Sequence, residues 1–92
     1  MEYTIIVTEL STLPSGKYQV RVDGRIKTMH EVLLDEQDYL RLKKPVETPE
    51  QLLERSFQFL LEREPNTSIL SEFNLMLINT YFPEYEQVMK NG

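Results

Sequence analysis

The chain has one histidine, no cysteine and no tryptophan, so few of its side chains can do chemistry. A general base or pH-sensitive group would have to be His30, the one residue whose reference pKa lies near neutrality. His30 belongs to an alternating set with Ile26, Thr28, Val32 and Leu34, and local spacing brings no serine or carboxylate beside it to build a triad. The pattern favours a histidine packed at the edge of a core and hydrogen-bonded nearby. Absent cysteines exclude disulfides, thiolate metal sites and cysteine nucleophiles. Glu31, Asp35, Glu36 and Asp38 cluster, but they lack the spacing, central glycine and terminal glutamate of a calcium loop. Only Gly16 and Gly24 lie inside the chain, which leaves no glycine-rich phosphate loop. No catalytic residue, metal site or cofactor is expected.

Binding is the richer possibility. Tyr81-Phe82-Pro83-Glu84-Tyr85-Glu86 sets aromatics among carboxylates. Aromatics are enriched at interface hot spots, so Tyr81, Phe82, Glu84, Tyr85 and Glu86 form a candidate surface for a basic or apolar partner. The competing reading has Tyr81 and Phe82 closing the core beneath the main helix. A second candidate is the cationic side of a hairpin, Arg21, Arg25 and Lys27, which could contact nucleic acid in the manner of an antitoxin. Arg41, Lys43 and Lys44 are more economically read as helix C-terminal charges. Asn66-Thr67-Ser68 matches a glycosylation sequon but reads as a helix cap.

These side chains need elements to carry them. Tyr3 to Thr8 is rich in β-branched residues and reads as a strand, followed by turn composition from Ser11 to Gly16. Lys17 to Asp23 alternates, with Tyr18, Val20 and Val22 on one face. After it, Asp23-Gly24 signals a hairpin. A three-residue loop of Val22-Asp23-Gly24, with Gly24 left-handed in a bulge, pairs Val20 with Ile26 and Tyr18 with Thr28, apolar against apolar. A short helix capped by Asp35 is expected next, stopped by Pro45. Thr48-Pro49-Glu50-Gln51 has the chemistry of a capping box with proline at the first helical position, opening a main helix over 48–64. Its wide apolar face (Leu52, Leu53, Ser56, Phe57, Phe59, Leu60, Leu61) should sit at the centre of the core. Asn66 should cap another helical segment through Phe73. Residues 74–82 fit either a helix or a buried strand, with proline punctuation tipping the balance to helix. A last short helix starts near Pro83 with acids first and Lys90 last.

The expected fold is therefore α+β: one domain over 1–92, with a strand half (1–34) and a helical half (35–92). It comprises a small antiparallel sheet of about three strands packed against the main helix and short C-terminal helices. Ninety-two residues at 40% hydrophobic content suit one core and no second. Apolar runs are only a few residues long, and the opening Met1-Glu2-Tyr3 resembles no secretory leader, so a cytoplasmic protein away from membranes is expected. Ten basic and fifteen acidic residues give −5. Residues 1–46 carry seven of each sign, whereas residues 47–92 carry eight acids and three bases, so the net charge belongs wholly to the second half.

Across residues 47–86 the run Thr48-Pro49-Glu50, Leu53 to Pro65, Ser68-Ile69-Leu70 and Tyr81 to Glu86 resembles a family of small uncharacterised bacterial proteins. Val20-x-Val22-Asp23-Gly24 and His30-x-Val32 are similar to its strand half. The resemblance implies a bacterial, intracellular protein and transfers no residue role. The function expected from the residues is a non-enzymatic interaction or regulatory module whose partner is another protein or a second copy of itself. A small domain with so wide an apolar helix face has surface that a homodimer could share. The antitoxin-like nucleic-acid reading comes second, and an enzyme based on His30 last.

Overall fold

The computed structural model describes residues 2–91. In chain order it has β1 (Thr4–Ser11), β2 (Ser15–Asp23), β3 (Lys27–Asp35), α1 (Glu36–Leu42), α2 (Pro49–Leu61), a 3₁₀ turn (Asn66–Ser68), β4 (Glu72–Asn74), α3 (Leu77–Tyr81) and α4 (Tyr85–Asn91). The fold is α+β as the sequence indicates, but the sheet has four strands in the order β1-β2-β3-β4. Three pair antiparallel, and β4 runs parallel to β3 through Glu31, Val32 and Leu33.

Alternation in β2 does what its pattern implies. Tyr18, Val20 and Val22 are fully buried, while Lys17, Gln19 and Arg21 occupy the other face. The hairpin register differs from the expected one. Val20 lies opposite His30, Tyr18 opposite Val32 and Asp23 opposite Lys27, so the loop is Gly24-Arg25-Ile26. The expected pairing of Tyr18 with Thr28 would set Pro14 against Val32, where proline cannot donate to a ladder. The observed register ends at Ser15 opposite Asp35, just short of Pro14. The shift is four residues, an even number, so every side chain keeps its expected face. Ile26 is the exception, because it falls in the loop and is 57% exposed. Gly24 has no positive φ. A Cβ there would lie 2.7 Å from the Tyr3 ring packed over it, so any other residue would have to displace that ring.

The main helix starts as its capping box dictates: Thr48 Oγ1 accepts from the Gln51 N–H at 3.1 Å, and Gln51 Oε1 accepts from the Thr48 N–H at 2.9 Å. Regular helix ends at Leu61, and the Arg63 and Glu64 amides both turn back to the Leu60 carbonyl before Pro65. Asp35 holds the N-cap position of α1, but its side chain makes no capping bond. The wide apolar face of α2 serves two neighbours. Leu53 and Phe57 join the sheet-side core, while Phe59 meets Phe82 and Tyr85 edge-on at centroid separations of 6.0 and 5.3 Å. That face is thus covered within one chain except at Leu61, which is half-buried. Burying each such side chain stabilises the fold by roughly 1.5–3 kcal/mol.

Residues 66–74 depart most from expectation. Asn66 caps no helix. It is buried, and its Nδ2 donates to the Ile26 carbonyl at 2.7 Å and to Thr28 Oγ1 at 3.0 Å. The chain from Ile69 runs extended into β4 because β3 offers it a free edge: the Glu31 amide donates to the Ser71 carbonyl and the Leu75 amide to the Leu33 carbonyl. Residues 74–82 combine both readings, a strand end at Asn74 and a helix over Leu77–Tyr81. Asn74 Oδ1 accepts from the Met76 amide ahead of that helix. α4 begins after Pro83 with Glu86 in its first turn and Lys90 in its last, as expected. All helices pack on the face of the sheet that holds Tyr18 and Val32, one shared core. Among the described residues no helix is long and apolar enough to cross a membrane.

Candidate functional site

His30 is 3% exposed, and both ring nitrogens are engaged. Nδ1 lies 2.7 Å from the Leu70 carbonyl, which can only accept, so Nδ1 carries the proton. Nε2 must then accept from the Thr28 hydroxyl at 2.8 Å, and Thr28 Oγ1 in turn accepts from Asn66. The chain Asn66–Thr28–His30–Leu70 fastens the hairpin loop to the segment leading into β4. Burial away from water holds the His30 pKa below its ordinary value, so the ring is neutral, as this hydrogen-bond direction requires. Phe57 packs against it at 5.4 Å between ring centroids.

The predicted aromatic and acidic segment is divided by the fold. Tyr85 is fully buried, and its hydroxyl is 2.7 Å from Ser56 Oγ, so it is a core residue and not part of a surface. Glu84 pairs with Arg63 at 3.2 Å, and Glu86 with Arg41 and Lys90 at 3.5 and 3.2 Å. Tyr81, 65% exposed, and the half-buried Phe82 remain, and they line an apolar cleft of about 290 Å³. Leu60, Phe73 and Ile78 also line it, as does Leu70, which is 48% exposed. A single carboxylate lies among them, Glu64, whose pKa is raised because burial disfavours its charge. Among the described residues Glu64 has no ion pair. Arg63 next to it is committed elsewhere, stacked 3.5 Å from the Phe59 centroid and bonded to the Phe59 carbonyl. Glu64, Leu70 and Phe73 could not be recognised in the sequence as site residues, because the turn that closes α2 brings Glu64, and the parallel pairing of β4 brings Leu70 and Phe73, to the cleft that Tyr81 lines, and no local spacing announces it.

The three hairpin cations point away from the core, as expected, but are not equivalent. Arg21 sits on the open face of the sheet, in a row with Ile6 and Met29, and pairs with Asp23 at 2.8 Å. Arg25 and Lys27 occupy the loop and its edge, exposed. Lys17 on the same face is 3.9 Å from Glu31. No aromatic residue of β1, β2 or β3 shares that face, so single-stranded nucleic acid would find no stacking platform there. Among the described residues no three histidine or acidic side chains converge as a metal site, and His30 does not line the cleft at Tyr81. Comparison of the chain with protein-family models, with curated proteins and with solved structures finds no match, so the resemblance of residues 47–86 to a bacterial family rests on its motifs alone.

Proposed function

We propose that this chain is a non-enzymatic protein-interaction module whose docking surface is the cleft between the end of α2 and α3. An apolar side chain of another protein fills the cleft, and a neighbouring cation of that partner meets Glu64. The observation that carries this reading is an apolar cleft walled by exposed Tyr81 and Leu70 around one carboxylate without a cation. Its volume lies at the lower limit of small-molecule pockets, about 300 Å³, and suits one or two partner side chains better than an enclosed cofactor. Tyr81 is the expected hot spot, being aromatic, large and partly unpacked. The motif resemblance supports a bacterial, intracellular setting.

Selection of peptides from a random library, followed by amide shift mapping on the labelled chain, tests it. Selected sequences should share a large apolar residue beside lysine or arginine, with shifts at Leu70, Phe73 and Tyr81. Tyr81→Ala should weaken binding about tenfold, roughly 1.4 kcal/mol. Glu64→Gln should remove the preference for the cation. Shifts confined to other surfaces would refute the reading.

A further inference from the structure

The strand order leaves β1 at one side of the sheet with its outer edge unpaired. Such an edge presents a row of free amides and carbonyls, and natural proteins usually blunt it with charge or proline. Over Thr4-Ile5-Ile6-Val7-Thr8 the edge has neither, and Glu9 and an irregularity between Glu9 and Ser11 blunt only its far end. What stands beside this edge is α2, which packs against β1 and whose last turn lies near Tyr3 and Ile5. Between the strand edge and the helix is a trough of about 360 Å³ lined by Tyr3, Ile5, Glu54, Gln58, Leu61 and Glu62. Tyr3, Ile5 and Leu61 give it apolar surface, and the helix wall carries two exposed carboxylates. Among the described residues Glu54 has no cation, and Glu62 has only its neighbour Arg63 at 3.4 Å.

We propose that β1 and α2 form a second docking groove, in which an extended basic segment of another protein adds as a fifth strand beside β1 with cations four residues apart against Glu54 and Glu62. The spacing follows from element geometry. Eight helical residues span about 12 Å. Four extended residues span about 13 Å, and residues four apart share one face of a strand. An apolar residue midway would then lie over Ile5 and Leu61. A second copy of this chain fits poorly, because pairing β1 with β1 sets Glu9, Glu54 and Glu62 of the two copies along one seam with like charges opposed. Edge addition supplies affinity through the backbone, and the alternate side chains supply specificity.

The test titrates the full chain, isotope-labelled, with an end-blocked peptide Thr-Lys-Thr-Val-Thr-Lys-Thr. Slowed amide exchange at alternate residues of β1 is expected, with affinity that falls as salt rises. The double variant Glu54→Lys/Glu62→Lys should bind at least tenfold more weakly while keeping its thermal midpoint, since both side chains are exposed. Two further peptides, N-methylated on one or the other alternate set of amides, separate strand addition from charge attraction. One of the two should lose binding and the other keep it. Equal binding by both, equal binding by a peptide with glutamate in place of lysine, or unchanged exchange along β1 would overturn the proposal, as would a dimer of the free chain joined through β1. Tyr81→Ala should leave this binding unchanged, so the groove and the cleft stand or fall separately.

Discussion

Two buried tyrosines and one histidine show how the same kind of group takes opposite roles according to what surrounds it. Tyr18 is fully buried, and among the described residues nothing hydrogen-bonds its hydroxyl; burial, with Glu9 and Glu50 nearby, pushes its pKa up to about 12. Tyr85 is equally buried but bonds Ser56. Replacing a hydroxyl without a partner by hydrogen removes a desolvation cost, whereas removing a satisfied one loses a bond. Tyr18→Phe should therefore raise unfolding stability by about 1 kcal/mol and Tyr85→Phe lower it by about 1 kcal/mol, both read from urea denaturation. His30 makes a pH prediction. Its folded pKa is depressed, so on acidification the unfolded chain takes up a proton that the folded chain resists. Stability from this group is complete above the unfolded value, near 6.5, and drains away as pH falls from there through the folded value. His30→Gln should flatten that part of the stability profile. The sequence places His30 on the apolar set of β3 with its partner Thr28, but its other partner, the Leu70 carbonyl, belongs to a distant segment that no spacing links to position 30.

Among the elements, α2 is the most legible, and one residue on its polar stripe does more than face water. Arg55 donates to both oxygens of Glu47 at 2.8 Å and to the carbonyls of Met89 and Leu42, joining the end of α1, the loop before α2 and α4. These bonds to Arg55 are the largest reason that the Glu47 carboxyl sits below the usual carboxylate range. A depressed acid stabilises the fold above its unfolded pKa and stops doing so as pH falls through the folded one. Arg55→Met should cost about 2–3 kcal/mol, because it leaves a mostly buried carboxylate unpaired. Glu47→Gln should shrink the loss of stability on the acid side, and thermal scans across pH would register both effects. Thr48→Ala should cost about 1 kcal/mol through the capping box. The Thr48 capping box and the proline boundaries were readable because they are local, whereas the Asp35 side chain makes no capping bond and Asn66 caps no helix. β4 was not readable: Glu72-Phe73-Asn74 is three residues long, and its conformation is set by the edge of β3 beside it.

At the scale of the molecule, a neutral strand half and an acidic helical half share one core, since Tyr18, Val20 and Val32 pack in the same cluster as Phe57, Leu60 and Met89. Urea unfolding followed by helical circular dichroism and by amide signals of β2 and β3 should therefore give one coincident transition; separated midpoints would mean two cooperative units. The amino-acid sequence by itself determined the α+β class, the buried faces of β2 and β3, the capping and apolar face of the main helix, and the placement of the net charge. Each follows from periodicity or from contacts within a few residues. Only the tertiary structure decided the hairpin register, the fourth strand, the burial of Asn66 and Tyr85, and the gathering of Glu64, Leu70 and Tyr81 around one cleft. Those outcomes depend on pairings between residues tens of positions apart. Such partners are chosen by which edges and faces remain unsatisfied once the local elements have formed.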